Sequence, residues 1–303
     1  MTAEEFLQEY KSNEHIKART SGSTGTPKEI TLPKSMLRLS ARRTNAAFGI
    51  ETGSRIHSCV AYDFIGGKMT LVRALEAGCT LTAEQPSNRP TLRGEIILDS
   101  GDSIESDPRE CPISLLSIVA SQLPYLIEHR EQLPHVERYL IGGGIIPERI
   151  RRMATDSGIE AWESYGMTET ASHIAIRKVS TENNPPFRAL DGIGISLDQR
   201  GCLMIDIPVD SESRARITTN DLASIENERE FRIHGRIDDV IISGGKKFHP
   251  SQAESLLSKE VATPIMFIGE ADDKWGEAII LLVEESSMHE KGETIDYIRE
   301  KTE

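Results

Sequence analysis

Cysteine is scarce in this chain: Cys59, Cys79, Cys111 and Cys202 stand far apart and form no Cys-x-x-Cys pair. That excludes a disulfide framework and a structural zinc site as organising devices, and a reducing cytoplasm is the expected compartment. Basic charge is also in deficit, with 35 Lys and Arg against 48 Asp and Glu, for a net charge of −13. Nucleic acid and anionic membrane surfaces are therefore poor partners, since both require a basic face. A local basic pocket for a phosphate ligand stays compatible with an acidic exterior. Long apolar runs are missing too. The longest, Ala278 to Val283, is far too short to span a bilayer, so no membrane span is expected. The opening MTAEEFLQEY is acidic and amphipathic, without the basic start and apolar core of a secretion signal. No repeat of solenoid or propeller length occurs. What remains is a soluble, intracellular chain of 303 residues, 38% hydrophobic, long enough for one large domain with a smaller one attached. Its oligomeric state is left open, a homo-oligomer included.

Along the chain, Glu4 to Tyr10 reads as a short helix. Ser35 to Phe48 has helical spacing, with Ser35 in the N-cap position and Gly49 at its end. Leu115 to Glu128 also reads as a helix, as does Pro147 to Ser157, with proline in its first turn and Gly158 just beyond. Strand-like runs fall at Glu29 to Leu32, Ile96 to Leu98, Val136 to Ile141 and Ile159 to Glu163. This alternation predicts an α/β fold with a substantially parallel sheet. Asp99 to Glu110 and Ser180 to Arg188 are polar and expected as surface loops. After Gly192 short strands take over, such as Cys202 to Ile207 and Glu230 to His234, and a boundary is expected near Gly235 to Asp239. Beyond it come a helix, Ser251 to Leu257, and the strands Ile265 to Ile268 and Ala278 to Val283.

Four motifs carry chemistry. The first is TSGSTGTPK, Thr20 to Lys28. Gly22 and Gly25 let the backbone approach a polyphosphate, Thr20, Ser21, Ser23, Thr24 and Thr26 supply hydroxyl donors, and Lys28 supplies a point charge. A flexible Ser/Gly linker is the plain alternative, though one ending in Pro-Lys before a strand is rare. A Walker loop fails on spacing: Pro27 stands where its second glycine belongs, and Glu29 where Ser or Thr would hold magnesium. The second is SYGMTET, Ser164 to Thr170, directly after a strand, where open parallel sheets bind ligands. Tyr165 offers a ring to stack on a purine, Thr168 a hydroxyl for a phosphate and Glu169 a hard oxygen for Mg²⁺. Alone, a Tyr-Gly turn is more often structural. The third, IGGGIIP, runs from a strand through Gly142, Gly143 and Gly144 towards a helix, a bare backbone suited to a flat base or merely to a tight turn. The fourth is TTND with GRIDDVIISGGKKFHP. Asp221 is placed to accept both ribose hydroxyls and Arg236 to close over the same sugar, although each type of residue is more commonly a surface charge.

Together and in this order, these motifs resemble the signature of the adenylate-forming superfamily, which contains acyl-CoA ligases, amino-acid-adenylating domains and luciferases. The resemblance spans about Arg19 to Val283. It implies a large N-terminal domain, residues 1–236, with mixed or parallel sheets and helices, and a small mobile α+β domain, residues 237–303, joined at a hinge matching Asp238. It also implies ATP, Mg²⁺ and coenzyme A as cofactors and a small-molecule carboxylic acid as substrate. Carried over, the Thr20–Lys28 loop grips the triphosphate, Gly142 to Gly144 and Tyr165 flank adenine, Thr168 meets the α-phosphate and Glu169 binds Mg²⁺. Asp221 and Arg236 hold the ribose, and Ser243-Gly244-Gly245 lines the pantetheine tunnel during thioester formation. Lys28, Thr168 and Glu169 are then the catalytic set, working by alignment and charge neutralisation at the α-phosphorus.

Within the superfamily, AYDFIGGKMTLVRALEAG (Ala61 to Gly78) and GMTETASHIAIR (Gly166 to Arg177) resemble the short O-succinylbenzoate–CoA ligases of menaquinone synthesis. Phe64 falls where many relatives carry a histidine gating the acyl pocket. The second carboxylate of such an acid needs a cation, for which Lys68 is the first candidate and His173 or Arg177 the next. The plain alternative for Lys68 is a lysine pointing to water. Two departures stand out. The phosphate loop lies near the start, so the first domain is expected to be shortened. Relatives also carry a catalytic lysine in a Gly-Lys motif beyond the final strands, which neither Lys291 nor Lys301 matches, so the second domain is expected to be incomplete or adenylation weak. A ligase for another aryl or fatty acid, an enzyme loading a carrier protein, and a catalytically impaired nucleotide-binding protein remain alternatives.

Overall fold

The computed structural model describes residues 1–20, 28–99, 107–182, 184–257 and 265–283. They divide into two compact units. The first comprises 1–195, 205–217 and 226–231, and the second 196–204, 218–225 and 232–303. The expected single cut after residue 236 thus falls inside the second unit. Four strands, β11 (Gly194–Leu197), β12 (Cys202–Pro208), β13 (Arg214–Ile225) and β14 (Glu230–Arg236), have residues in both.

The first unit opens with α1 (Ala3–Ser12), started by a reciprocal cap in which Glu5 N–H donates to Thr2 Oγ1 and Thr2 N–H to Glu5. A hairpin follows, β1 (His15–Arg19) with β2 (Glu29–Pro33), then α2 (Lys34–Phe48). Pro33 occupies the cap position of α2, so Ser35 is not its cap, and Gly49 ends the helix in the left-handed region. Next come β3 (Arg55–Ser58), α3 (Ile65–Ala77), β4 (Thr80–Ala83), β5 (Glu95–Leu98) and β6 (Leu115–Val119). They are followed by α4 (Leu123–Glu128), β7 (Tyr139–Gly142), α5 (Glu148–Ser157), β8 (Ala161–Met167), β9 (Ser172–Lys178) and β10 (Phe187–Ala189). The strands lie in the order β10-β9-β8-β7-β6-β3-β4-β5. β4, β3, β6, β7 and β8 are mutually parallel, with antiparallel β5 on one side and β9 on the other. The α/β expectation therefore holds.

One expected helix does not. Leu115 to Val119 (LLSIV) is a strand between β3 and β7, and helix begins only after it, as a 3₁₀ turn at Ala120–Gln122 and α-helix at Leu123–Glu128. A continuous apolar run fits a doubly covered parallel strand as well as a buried helix, and here the sheet decides. Alternation then sorts its side chains. Leu116 and Ile118 join Leu126, Tyr139, Ile141, Ile150 and Ala154 in the core under α4 and α5, while Ser117 reaches Arg73 of α3 on the opposite face.

The second unit contains an antiparallel sheet ordered β16-β15-β18-β17, from β15 (Ile241–Ser243), β16 (Lys246–Phe248), β17 (Ile265–Asp272) and β18 (Gly276–Val283). Helix α6 (Pro250–Leu257) is tied to β17 by Phe267 N–H donating to Glu254 Oε1 at 2.7 Å. Among the described residues no helix is long and apolar enough to cross a membrane.

Candidate active site

In the first unit two of the motifs lie at the carboxyl ends of the parallel neighbours β7 and β8. The hairpin β1–β2 presents the Thr20–Lys28 motif as its connection, closed by Thr20 N–H donating to Lys28 O (2.9 Å) and Lys28 N–H to Thr20 Oγ1 (3.0 Å). Residues 21–27, and with them Ser21, Gly22, Ser23, Thr24, Gly25 and Thr26, lie outside the described residues. β7 ends at Gly142, with Gly143 and Gly144 exposed beyond it. Ser164 Oγ donates to Ile141 O at 2.9 Å and sits 3.0 Å from where a Cβ on Gly142 would lie, so the glycine run is seated against β8.

SYGMTET is not a loop after a strand. β8 runs through Met167, and only Thr168–Thr170 form a single 3₁₀ turn before β9. The reason is Gly166. A Cβ there would come within 2.4 Å of both His173 Cα and Ser172 O, so the two strands close only around glycine. The turn is braced from within and below. Thr170 Oγ1 accepts the Met167 N–H at 3.0 Å, and Ser40 Oγ of α2 donates to Ala171 O at 2.8 Å. Thr168 is buried and Glu169 exposed at the tip. The Tyr165 ring is held by Phe187 (centroids 5.6 Å) and edge-to-face by Phe231 (5.4 Å).

Two groups of buried charge flank this strand pair. On the α5 face, Glu163 Oε2 receives Arg151 Nη2 and Arg177 Nε, each at 2.6 Å. Arg177 also donates to Asn184 Oδ1 and Pro185 O and lies 4.1 Å over the Phe187 ring. It is thus engaged here rather than offered to an acid.

On the α3 face, Arg73 donates to Ser117 Oγ (3.3 Å) and Ser172 Oγ (3.2 Å) and approaches His173 Nδ1 at 3.4 Å, while its Nε is buried without a partner. Arginine only donates, so His173 Nδ1 accepts and Nε2–H points to Thr44 Oγ1, 3.1 Å away. Burial first, then Arg73 and Arg43, hold the His173 pKa well below its usual value, so it is neutral and no cation for a substrate. Burial alone pushes Arg73 down to about 10, and burial with nearby Arg214 does the same to Arg43. Arg43 Nε and Nη2 are likewise buried and unpartnered. No carboxylate among the described residues pairs with either arginine.

Lys68 points neither to water nor into a described cavity. It is 2% exposed, bonded to Glu9 Oε2 of α1 at 3.3 Å and 4.3 Å over the Phe6 ring. Burial lowers its pKa against the pull of Glu9. Phe64, 48% exposed, precedes α3, and its backbone bridges Arg19 beside the phosphate-loop stem. Sequence reasoning missed Arg43, Arg73 and Glu163. The last two lay inside or beside quoted tracts, but nothing in their neighbours marks them as buried.

In the second unit TTND lies within β13, and the structure joins the two proposed ribose ligands. Arg236 Nη1 donates to Asp221 Oδ1 at 3.2 Å and Nη2 to Asp238 Oδ2 at 2.9 Å. Burial opposes the Arg236 charge, yet Asp238 and Asp221 outweigh it and its pKa is raised. Asp238, the expected hinge, also accepts two bonds from Asn220 Nδ2. Asn220 and Arg236, in that order of effect, hold its pKa down. Gly244 (φ 56°) and Gly245 (φ 77°) form the two-residue turn between β15 and β16, both left-handed as a type I′ hairpin demands. The Gly244 N–H donates to Trp275 O at 2.8 Å.

Comparison with known proteins gives the family. The AMP-binding enzyme family model matches residues 20–206. A 2-succinylbenzoate–CoA ligase of Bacillus cereus (strain Q1) is 26% identical over 98% of this chain and 66% of that protein. The counterpart from Bacillus anthracis is 25% identical over 93% and 62%. This chain thus spans about two thirds or less of the length of the curated relatives it matches. Among solved structures, an acyl-CoA synthetase (AMP-forming)/AMP-acid ligase II-like protein from Dyadobacter fermentans matches with TM-score 0.64 and 27% identity over 98% of this chain and 83% of its own. The o-succinylbenzoate CoA synthetase of Bacillus subtilis, in complex with the acyl-adenylate intermediate OSB-AMP, matches with TM-score 0.74 and 25% identity over 95% and 62%. The chain belongs to the AMP-binding enzyme family.

Proposed function

We propose that this chain activates O-succinylbenzoate with MgATP to an acyl-adenylate and pyrophosphate, and that the coenzyme A thiol then displaces AMP from the acyl-adenylate to give the thioester. The phosphate loop with Lys28 takes the triphosphate, Gly142–Gly144 and Tyr165 flank adenine, and Thr168 meets the α-phosphate. Asp221 and Arg236 of the second unit take the ribose, Gly244 and Gly245 serve the pantetheine arm, and Asp238 is the hinge. Among the described residues no cluster of three His, Cys, Asp or Glu side chains could hold a metal. That suits Mg²⁺, which is commonly held by one carboxylate, here Glu169, together with the substrate's own phosphate oxygens. Bound there, the ion neutralises phosphate charge; the chain's own groups align the carboxylate with the α-phosphorus.

The observation that carries the choice of acid is the Arg73–Arg43–His173 group under the Thr168–Thr170 turn. Two buried guanidinium groups that no carboxylate among the described residues pairs are costly unless an anion meets them, and a dicarboxylic acid brings one carboxylate to activate and one to pair. Arg73 thereby replaces Lys68 as the candidate cation. The test is pyrophosphate release from MgATP across a panel of acids, with and without CoA. Release with O-succinylbenzoate, and thioester only when CoA is present, is expected. Preference for another aryl or fatty acid overturns the substrate, and no release with any acid overturns the activity. Glu169→Gln should slow release on the order of a hundredfold while nucleotide binding persists.

A further inference from the structure

The Glu163 carboxylate lies outside the proposed chemistry, yet three elements meet on one of its oxygens. Its Oε2 takes Arg151 from α5 and Arg177 from β9, each at 2.6 Å, while Glu163 itself sits in β8 two residues before Tyr165. α5 is the helix that the Gly142–Gly144 run leads into. Arg177 stands directly opposite Glu163 in the β8–β9 register and passes the constraint onward. Its guanidinium lies 4.1 Å over Phe187, whose ring is 5.6 Å from Tyr165. Asn184 and Pro185 fix the guanidinium's plane from the other side.

We infer that Glu163 is a positioning residue for nucleotide recognition: it ties the Gly142–Gly144 run and the Tyr165 ring to one carboxylate and so sets the width of the slot proposed to receive adenine. The inference rests on the proposed nucleotide role of those two walls. Stability alone does not account for the cluster. Buried ion triads are often no more stable than apolar replacements of equal volume, and this one leaves Arg151 Nη1 buried without a partner. A joint that fixes one geometry accounts for both the cost and the convergence. Slot width bears on the base and not on the phosphates, so it affects the choice between adenine and a differently shaped purine.

The experiment uses the 303-residue chain with Glu163→Gln and, as a second variant retaining the carboxylate, Arg177→Lys. ATP and GTP affinities are read from ligand-induced melting shifts, and KM for ATP and kcat from pyrophosphate release. Glu84→Gln is the comparator. Glu84 is also tied into the first unit, by His57 Nε2 at 3.0 Å and the Thr91 and Leu92 N–H groups, but has no link to Tyr165. Expected is a fall of about tenfold in ATP-over-GTP preference for both cluster variants, with KM for ATP rising more than kcat falls. Glu84→Gln should lower the melting temperature and leave the preference intact. If Glu163→Gln does not fold, Arg177→Lys decides alone. Wild-type preference in the cluster variants, with only a lowered melting temperature, overturns the positioning role while leaving the nucleotide reading in place. A wild-type chain that does not favour ATP overturns both, and does so before any substitution is made.

Discussion

The two faces of the β8–β9 hairpin carry buried charge of opposite completeness. On the α5 face a carboxylate stands between two guanidiniums, each bonded to it at 2.6 Å, and one arginine nitrogen, Arg151 Nη1, is left buried without a partner. On the α3 face Arg73 meets two hydroxyls and a neutral imidazole, Arg43 lies near by, no carboxylate among the described residues pairs with either, and three arginine nitrogens are left buried without a partner. A compensated cluster holds its own elements together, whereas an uncompensated one is strained until something anionic arrives. On the readings proposed above, the first is the joint that positions the nucleotide walls and the second the receptor for the acid's second carboxylate. Substitutions at matched depth on the two faces should therefore act in opposite ways.

The largest effect is expected from breaking the complete cluster. Glu163→Leu leaves two arginines buried against apolar surface and should cost about 3–5 kcal/mol of stability, read as a denaturant midpoint shift. A loss under roughly 1 kcal/mol would show that the triad is not compensating charge. On the other face, Arg73→Met removes a charge that no carboxylate among the described residues neutralises. Stability should hold or rise, while KM for O-succinylbenzoate climbs about a hundredfold and KM for ATP stays. A destabilised Arg73→Met with unchanged KM for the acid would make the two faces equivalent. The smallest effect is on pH dependence. His173 has a folded pKa well below its unfolded value, so below about pH 6.5 the unfolded state binds a proton that the folded state refuses. Stability is then lost as pH falls through that range, at about 1.4 kcal/mol per pH unit. His173→Asn should flatten the profile on the acid side of about pH 6.5, and equal slopes in both proteins would count against the neutral, donor-facing imidazole.

Much of the scaffold is legible in the residues. Gly49, Gly78 and Gly158 end helices in left-handed conformations, each where a helical pattern stops at glycine. The Thr20–Lys28 motif sits on a hairpin stem because the residues before and after it alternate. Leu115 to Val119 was not legible, since its length and hydrophobicity fit either element and only its neighbours in the sheet choose. The extension of β8 through Met167 depends on pairing with β9, and that pairing depends on a bare Gly166. The buried charges were least visible. Arg42 and Arg43 are adjacent, yet Arg42 pairs with Glu76 at the surface and Arg43 is buried. One residue of helix rotation separates them, and hydropathy treats them alike. Lys68 shows the same limit in reverse, because its partner Glu9 lies in a helix distant in sequence.

The most direct test of the receptor face is the ratio of kcat/KM for O-succinylbenzoate to that for the same skeleton with its second carboxylate replaced by hydrogen, measured in the wild-type chain and in Arg73→Met. A wild-type ratio of about a hundred, collapsing towards one in the variant, is expected for a buried cation meeting that carboxylate. A wild-type chain that turns over both acids equally well would contradict it.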